Sequence, residues 1–392
     1  PGNYTVTMSV KDKAGTQSNP VTVNIQVTAA PVGGWNEYYI DATNGNDLLS
    51  GQCPTVQGTC GPWKTHSQVL KFLRTTTTAN LQFLYKRGEV FLLPNYVQLV
   101  NGQATIYESA STAVILGQQP NKAFGVMIGK TTVNNVNWYQ IDFDSGVDGW
   151  INVYSETIVN ARGAFLAEFR AYSNSDGSDN PSLPKPVLKA TNANIPALIN
   201  PLKTNDWRFI DLEFQGAPGE AGFRESFGSA GNETYHTLLL RAKFPESTSR
   251  AQITIEGVFL FIVDSDFGGA DYHTMSGAIK KTAFLGNKID TGSSTLLTGG
   301  MRMSWSFNPA IPTGKFIVSN NTFRDYSDDG VYVLRLYPGP TIISDNIIEG
   351  YNMGIMMNGC DLCGPGEQLL LVERNIFTRD HTIRQEQPAP AI

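Results

Sequence analysis

The side chains best suited to chemistry crowd between residues 264 and 337. Asp328 and Asp329 are adjacent carboxyls. Such a pair can divide general acid and general base work at a glycosidic bond, or ligate a hard divalent cation. Asp271 and His273 set an imidazole two positions from a carboxylate, a pairing that lets histidine move protons near neutral pH. Lys281, Arg302 and Arg335 suit a different reaction. Removing the proton beside a sugar carboxylate needs a base, together with a cation that neutralises the acid and steadies the developing enolate. Trp305, Tyr332 and Tyr337 are amphipathic plates able to stack on a sugar ring. Asp264 and Asp266 can ligate calcium, the one cofactor these residues suggest. Each group also has a plainer reading. Asp-Asp-Gly can simply turn the chain before a strand, as Asn352-Met353-Gly354 does later; a loop histidine can hold an ordinary hydrogen bond; Lys and Arg can solvate a surface; and the aromatic residues can be core.

The elements that would position these groups are written as a repeat. Asn321-Thr322-Phe323 is echoed by Asn287-Lys288-Ile289, Asn346-Ile347-Ile348 and Asn375-Ile376-Phe377, each after a short apolar run, and more loosely around Phe214, Phe244 and Phe267. Positions 214, 244, 267, 289, 323, 348 and 377 recur at a solenoid period with loop insertions. The units hold short β-branched and aromatic runs broken by Gly, Asn and Asp, with no helical period. Stacked coils of three short strands satisfy this pattern, each strand pairing with its equivalent one coil later. The recurring Phe or Ile is then an internal rung, and the recurring Asn is expected at a bend, bonding its own backbone and accepting the left-handed conformation. Aligning Gly277, Gly300 and Gly330 sets Ile279, Arg302 and Tyr332 on one face and Lys280, Met303 and Val333 on the other; a lysine facing the core argues for a shift of one residue.

With 392 residues, 41% hydrophobic and 16% charged, 38 Gly and 21 Pro, the chain can bury a long core and must turn often. A net charge of −6 leaves no basic footprint for nucleic acid or an anionic membrane surface. No apolar run is long enough to span a bilayer. The chain opens on Pro1 within a strand pattern, which is expected of a piece of a longer protein. Cys53 with Cys60 and Cys360 with Cys363 sit in Gly/Pro-rich loops and are read as two local disulfides of an extracellular or cell-surface protein. A CxxC redox site and a four-cysteine zinc site are the competing readings.

Residues 1–30 alternate as a β-hairpin, and G-x-Y-x-V-x-x-x-V-x-D-x-x-G from Gly2 to Gly15 resembles the closing strands of Ig-like, PKD or cadherin-type modules. Residues 31–37 read as a linker. From Tyr38 onward, Asp41, Gly45 and Asp47, then Gly61-Pro62-Trp63-Lys64-Thr65, FLYKRGEVF at 83–91, KPVL at 185–188 and FIDLEF at 209–214 resemble the right-handed parallel β-helices of the pectate-lyase-like superfamily. That resemblance implies an all-β right-handed solenoid over 38–392. The amphipathic segment at about 65–73 reads as its capping helix, and the fading of the rung pattern at about 103–174 as an irregular insertion or side sheet. The resemblance also implies a polysaccharide lyase or glycoside hydrolase that binds a glycan along an outer face. SDDGVYVL resembles the paired-Asp segment of polygalacturonase-type hydrolases, without their G-H-G and R-I-K elements. Asp271-Tyr272-His273 resembles the D-P-H element of alginate epimerases, with Tyr in place of Pro. The expected partner is a polysaccharide or cell-surface glycan. The alternative is a non-catalytic adhesive or structural protein that uses the solenoid as a building block, beside neighbouring Ig-like modules or further copies of itself.

Overall fold

The structure is a computed structural model that describes residues 2–8, 21–27, 34–76, 78–93, 95–99, 102–152, 158–159, 167–190, 197–199, 206–215, 221–224, 234–245, 251–269, 273–279, 281–290, 299–304, 315–326, 329–333, 339–350, 353–357 and 368–378. For some of the strand residues among these, only the backbone is described. Two long parallel sheets run through the chain and make it a parallel β-helix. Each regular coil contributes a strand to a first wall, a second to a middle wall and a third to a last wall. His273–Ile279, Lys281–Leu285 and Lys288–Asp290 are one such set. The first and middle walls belong to one continuous sheet, and the last wall is a separate sheet of nine strands.

The repeat markers fall in one row. Phe91, Leu188 and Phe214 are in register, as are Phe244, Phe267, Ile289 and Phe323, which continue through Ile348 to Phe377. All but Phe377 are buried. Flat ring contacts reinforce the row, with centroids 4.8 Å apart for Phe214–Phe244 and 5.0 Å for Phe244–Phe267. A second internal row on the middle wall runs Phe83, Phe169, Phe209, with centroids 5.2 and 4.8 Å apart, and continues in register through Leu239 to Ile262.

The recurring asparagine has a different place from the one expected. The left-handed residue at the bend between the middle and last walls is the one before it, in the column Asp211, Arg241, Asp264, Gly286, Asn320, Asp345, Arg374. The asparagines themselves form a ladder, buried at Asn287, Asn321 and Asn346 and half-buried at Asn375. Asn287 Nδ2 donates to Asn321 Oδ1 at 3.0 Å, Asn321 Nδ2 to Asn346 Oδ1 at 3.0 Å and Asn346 Nδ2 to Asn375 Oδ1 at 2.8 Å. Each side chain also takes backbone groups: Asn321 Nδ2 donates to the Phe284 carbonyl, and Asn321 Oδ1 accepts from the Asn287 N–H. Burial decides the arrangement, because a bend inside a solenoid cannot leave amides and carbonyls to water.

The Asp41-to-Thr65 motif is a clasp. Asp41 Oδ1 accepts from the Thr43 and Asn44 N–H groups, and Asp47 takes the Lys64 and Thr65 N–H groups on Oδ1 and the Thr65 hydroxyl on Oδ2. A Cβ at Gly45 would run into the Trp63 carbonyl, so only glycine fits. Thr65 in turn caps the helix His66–Thr75 by accepting from the Gln68 N–H. Val69 and Leu73 of that helix pack with Tyr38, Trp63 and Phe83 over the first coil. Residues between the first two coils form a seven-stranded antiparallel sheet with its own small core of Val97, Leu99, Ile106, Ile141, Phe143 and Ile151. At the N-terminus Gly2–Met8 and Val21–Val27 pair as an antiparallel hairpin, a sheet of two strands among the described residues.

Candidate functional site

The first wall brings together part of the expected site. Its register sets Thr254, Ser276, Arg302, Tyr332 and Met356 level on successive strands. Ile253, Met275, Met301, Val331 and Ile355 form the adjoining level, and Ile355 packs against the core. By register, Arg302 and Tyr332 fall on the alternation opposite the Ile355 level. His273 and Asp329 stand at the start of their strands, His273 level with Gly299 and Asp329 with Met353. Aligning the glycines is correct for Arg302 with Tyr332 and three residues off for the preceding strand, where Ser276 and not Ile279 is the partner of Arg302. Ladder register follows the apolar inner level, which the glycines do not mark.

Lys281 opens the middle-wall strand of the same coil, level with Lys315. Asp264 occupies the left-handed bend position and donates its N–H to the Leu285 carbonyl. Asp266 begins a last-wall strand, in register between Lys243 and Lys288. Among the described residues, no three His, Cys, Asp or Glu side chains gather as a metal site. Cys53 and Cys60 are joined, with Cα atoms 5.5 Å apart. Asp271, Trp305, Asp328, Arg335, Tyr337, Cys360 and Cys363 lie outside the described residues.

Two knots of charge were not anticipated. At the bend of the first coils, Arg87 is almost wholly enclosed and holds Asp179 with both arms at 2.6 and 2.8 Å, while its third nitrogen donates to the Leu183 carbonyl at 3.2 Å. Asp211 and Arg241 make the same two-pronged contact at 2.8 and 2.6 Å. Burial alone would raise the Asp211 carboxyl, but the Arg241 hydrogen bonds and the charges of Arg241, Arg87 and Lys185 hold it below the usual carboxylate range. Lys185 donates to the Arg241 carbonyl at 2.5 Å, and its ammonium is lowered by burial against the pull of Asp211 and Asp266. Between the early middle-wall strands, buried Glu168 accepts from Gln82 at 2.8 Å and is flanked by Arg170 and Arg208 at 3.4 and 3.9 Å. Both knots are internally paired, so their chemistry is that of staples between coils. The signal for the first lay in the repeat itself: Asp211, Arg241, Asp264, Asp345 and Arg374 all stand three residues before a marker.

The fold and its outward rows define a class, the parallel β-helix. Neither a protein-family model nor a curated protein matches the chain. Among solved structures, GH136 lacto-N-biosidase from Eubacterium ramulus (native protein) is similar over 88% of this chain and 68% of that one, at 11% identity and a TM-score of 0.25. A likeness at that score carries no argument about this chain.

Proposed function

We propose that this is an extracellular, polysaccharide-active β-helix protein that binds a glycan chain across its first wall. One observation carries the reading: Arg302 and Tyr332 are cross-strand neighbours on the alternation opposite the core-packed Ile355 level, with Ser276 beside them. Strand spacing is roughly 5 Å, so successive coils meet successive parts of an extended sugar chain. In the lyase form of the reaction, the Arg302 guanidinium pairs with a uronate carboxylate. A base takes the C5 proton, the C4–oxygen bond breaks, the departing sugar oxygen takes up a proton, and a C4–C5 double bond remains. His273, Lys281 and Arg335 are the candidate bases, with Trp305, Tyr332 and Tyr337 as stacking plates. In the hydrolytic form, Asp328 and Asp329 divide the acid and base roles, and water adds across the glycosidic bond. Calcium at Asp264 and Asp266 belongs to the same proposal.

The test is incubation with a panel of acidic and neutral polysaccharides. Ultraviolet-absorbing unsaturated ends indicate the lyase, and new reducing ends alone indicate the hydrolase. Arg302→Met is expected to lower turnover on the active polysaccharide about 100-fold or more. Release of neither product, or an unchanged rate in Arg302→Met, overturns the reading.

A second reading, a non-catalytic assembly protein, is favoured by the outer face of the middle wall. Leu238, Phe261, Ala283, Ile317, Ile342 and Leu371 fall level there on successive strands. Ala283 and Ile342 are already buried, while Phe261 is 40% exposed and Leu238, Ile317 and Leu371 are partly open, and that open apolar area suits burial against another surface. Its test is the state of association in solution.

A further inference from the structure

The seven-stranded antiparallel sheet has two faces of different character. One covers its small core through Ile106, Ile141 and Ile151. The residues that alternate with these make up the other face. Tyr107 on Ala104–Tyr107, Trp150 on Gly149–Asn152 and Trp138 on Val136–Phe143 lie on three neighbouring strands. Tyr107 is the register partner of Trp150, Trp150 of Gln140, and Trp138 of Asn152. The Tyr107 and Trp138 rings meet edge to face with centroids 5.5 Å apart. Trp138 is 4% exposed and forms the floor, while Tyr107 and Trp150 are partly open to solvent. Thr131, level with Trp138 on the next strand, brings a hydroxyl. Gly129 is level with Gln140, and a Cβ there would stand 3.6 Å from the Trp150 ring and 3.0 Å from Gln140 Oε1, so its bareness keeps the face flat.

We propose that this face is a binding platform for an uncharged pyranose, separate from the first wall. Two partly open aromatic plates over a buried tryptophan, bordered by amides and a hydroxyl, match a sugar ring, which has apolar C–H faces and a rim of hydroxyls. The charge balance selects the uncharged kind. The acidic residue in the same alternation is the exposed Asp142, two places beyond Gln140, and the chain carries −6 overall. A carboxylate accepts well from sugar hydroxyls and repels a uronate. Lys130, the nearby cation, is level with Tyr139 and sits 5.7 Å from that ring, on the core-covering side.

The experiment is a titration of the whole chain with cellohexaose, mannohexaose and hexagalacturonate, followed by tryptophan fluorescence and calorimetry. At least one neutral hexasaccharide is expected to bind, and hexagalacturonate to bind Arg302→Met, whose first wall lacks its cation, tenfold or more weakly by comparison. Trp150→Ala should weaken binding tenfold or more. Trp150→Phe, which keeps a ring, and exposed Asn152→Ala should each weaken it severalfold with the far-ultraviolet dichroism unchanged. Arg302→Met should bind as the parent does, which separates this face from the first wall. The proposal is overturned if neither neutral probe binds at millimolar concentration, if hexagalacturonate binds Arg302→Met as tightly as the neutral probes do, if both mild variants bind the neutral probes like the parent, or if Arg302→Met abolishes neutral binding.

Discussion

His66 lies inside the first coil with Nδ1 2.7 Å from the Tyr85 hydroxyl, and burial pulls its pKa from 6.5 down to about 4. The folded state thus resists a proton that the unfolded chain accepts freely. Stability from this residue is complete above pH 6.5 or so and is lost as the pH falls towards about 4. Between pH 7 and 4.5 the loss should be roughly 2 to 3 kcal/mol. Denaturant melts of the parent and of His66→Phe will show it as a difference in pH slope, and parallel slopes would refute the assignment. The sequence singled out His273 as the histidine with chemical promise, since a carboxylate stands two places away. Nothing in the residues around His66 announces a buried imidazole; its partner Tyr85 is 19 positions along and is brought to it only when the capping helix closes over the coil.

At the scale of the element, the Asn ladder carries the bends of the later coils. Replacing Asn321 with Leu removes its donors to Phe284 and Asn346 and leaves the buried Asn287 N–H without its acceptor. The expected cost is about 3 to 5 kcal/mol, read as a lower denaturation midpoint with an unchanged slope. Asn320→Ala, one residue away, should cost no more than about 2 kcal/mol, the strain of a left-handed alanine. Equal losses in the two variants would mean that the ladder is not the support. The rungs from Phe267 onward were the most legible because each combines a large apolar residue with a small polar one two places earlier, Ser265 or an asparagine, and burial in a stack enforces that combination. The conformation of the bend was not legible from composition, since Asn suits both a left-handed turn and a buried ladder. Only the column before it, where Asp, Arg and Gly alternate with Asn, distinguishes the two.

Across the whole molecule, the walls differ in what they offer. The last wall is laced by Glu213, Lys243, Asp266 and Lys288 in sequence, the bends by paired Asp and Arg, and the middle wall carries one apolar row from Leu238 onward beside Ser319, Ser344 and Glu373. If that middle wall joins copies of the chain, Phe261→Glu, at a position 40% exposed, should shift a sedimenting oligomer to monomer. A parent that already sediments as a monomer would remove the assembly reading. The antiparallel side sheet was the least legible part, because its alternation resembles that of any strand and its cross-strand partners are set by hairpin turns such as Asn134-Asn135, both left-handed. Its three aromatic plates are spread over 44 positions, from 107 to 150, and become one surface only through that pairing. The asparagine ladder has a further consequence. Ser265 N–H meets Asn287 Oδ1 in the way Asn287 N–H meets Asn321 Oδ1. The joint is therefore the same from Ser265 to Asn346, and excising the 34 residues from Asn287 to Asn320 would offer Ser265 an identical acceptor. Such a chain can gain or lose whole storeys by duplication and deletion while its interior stays sealed, and its length is free to change under selection.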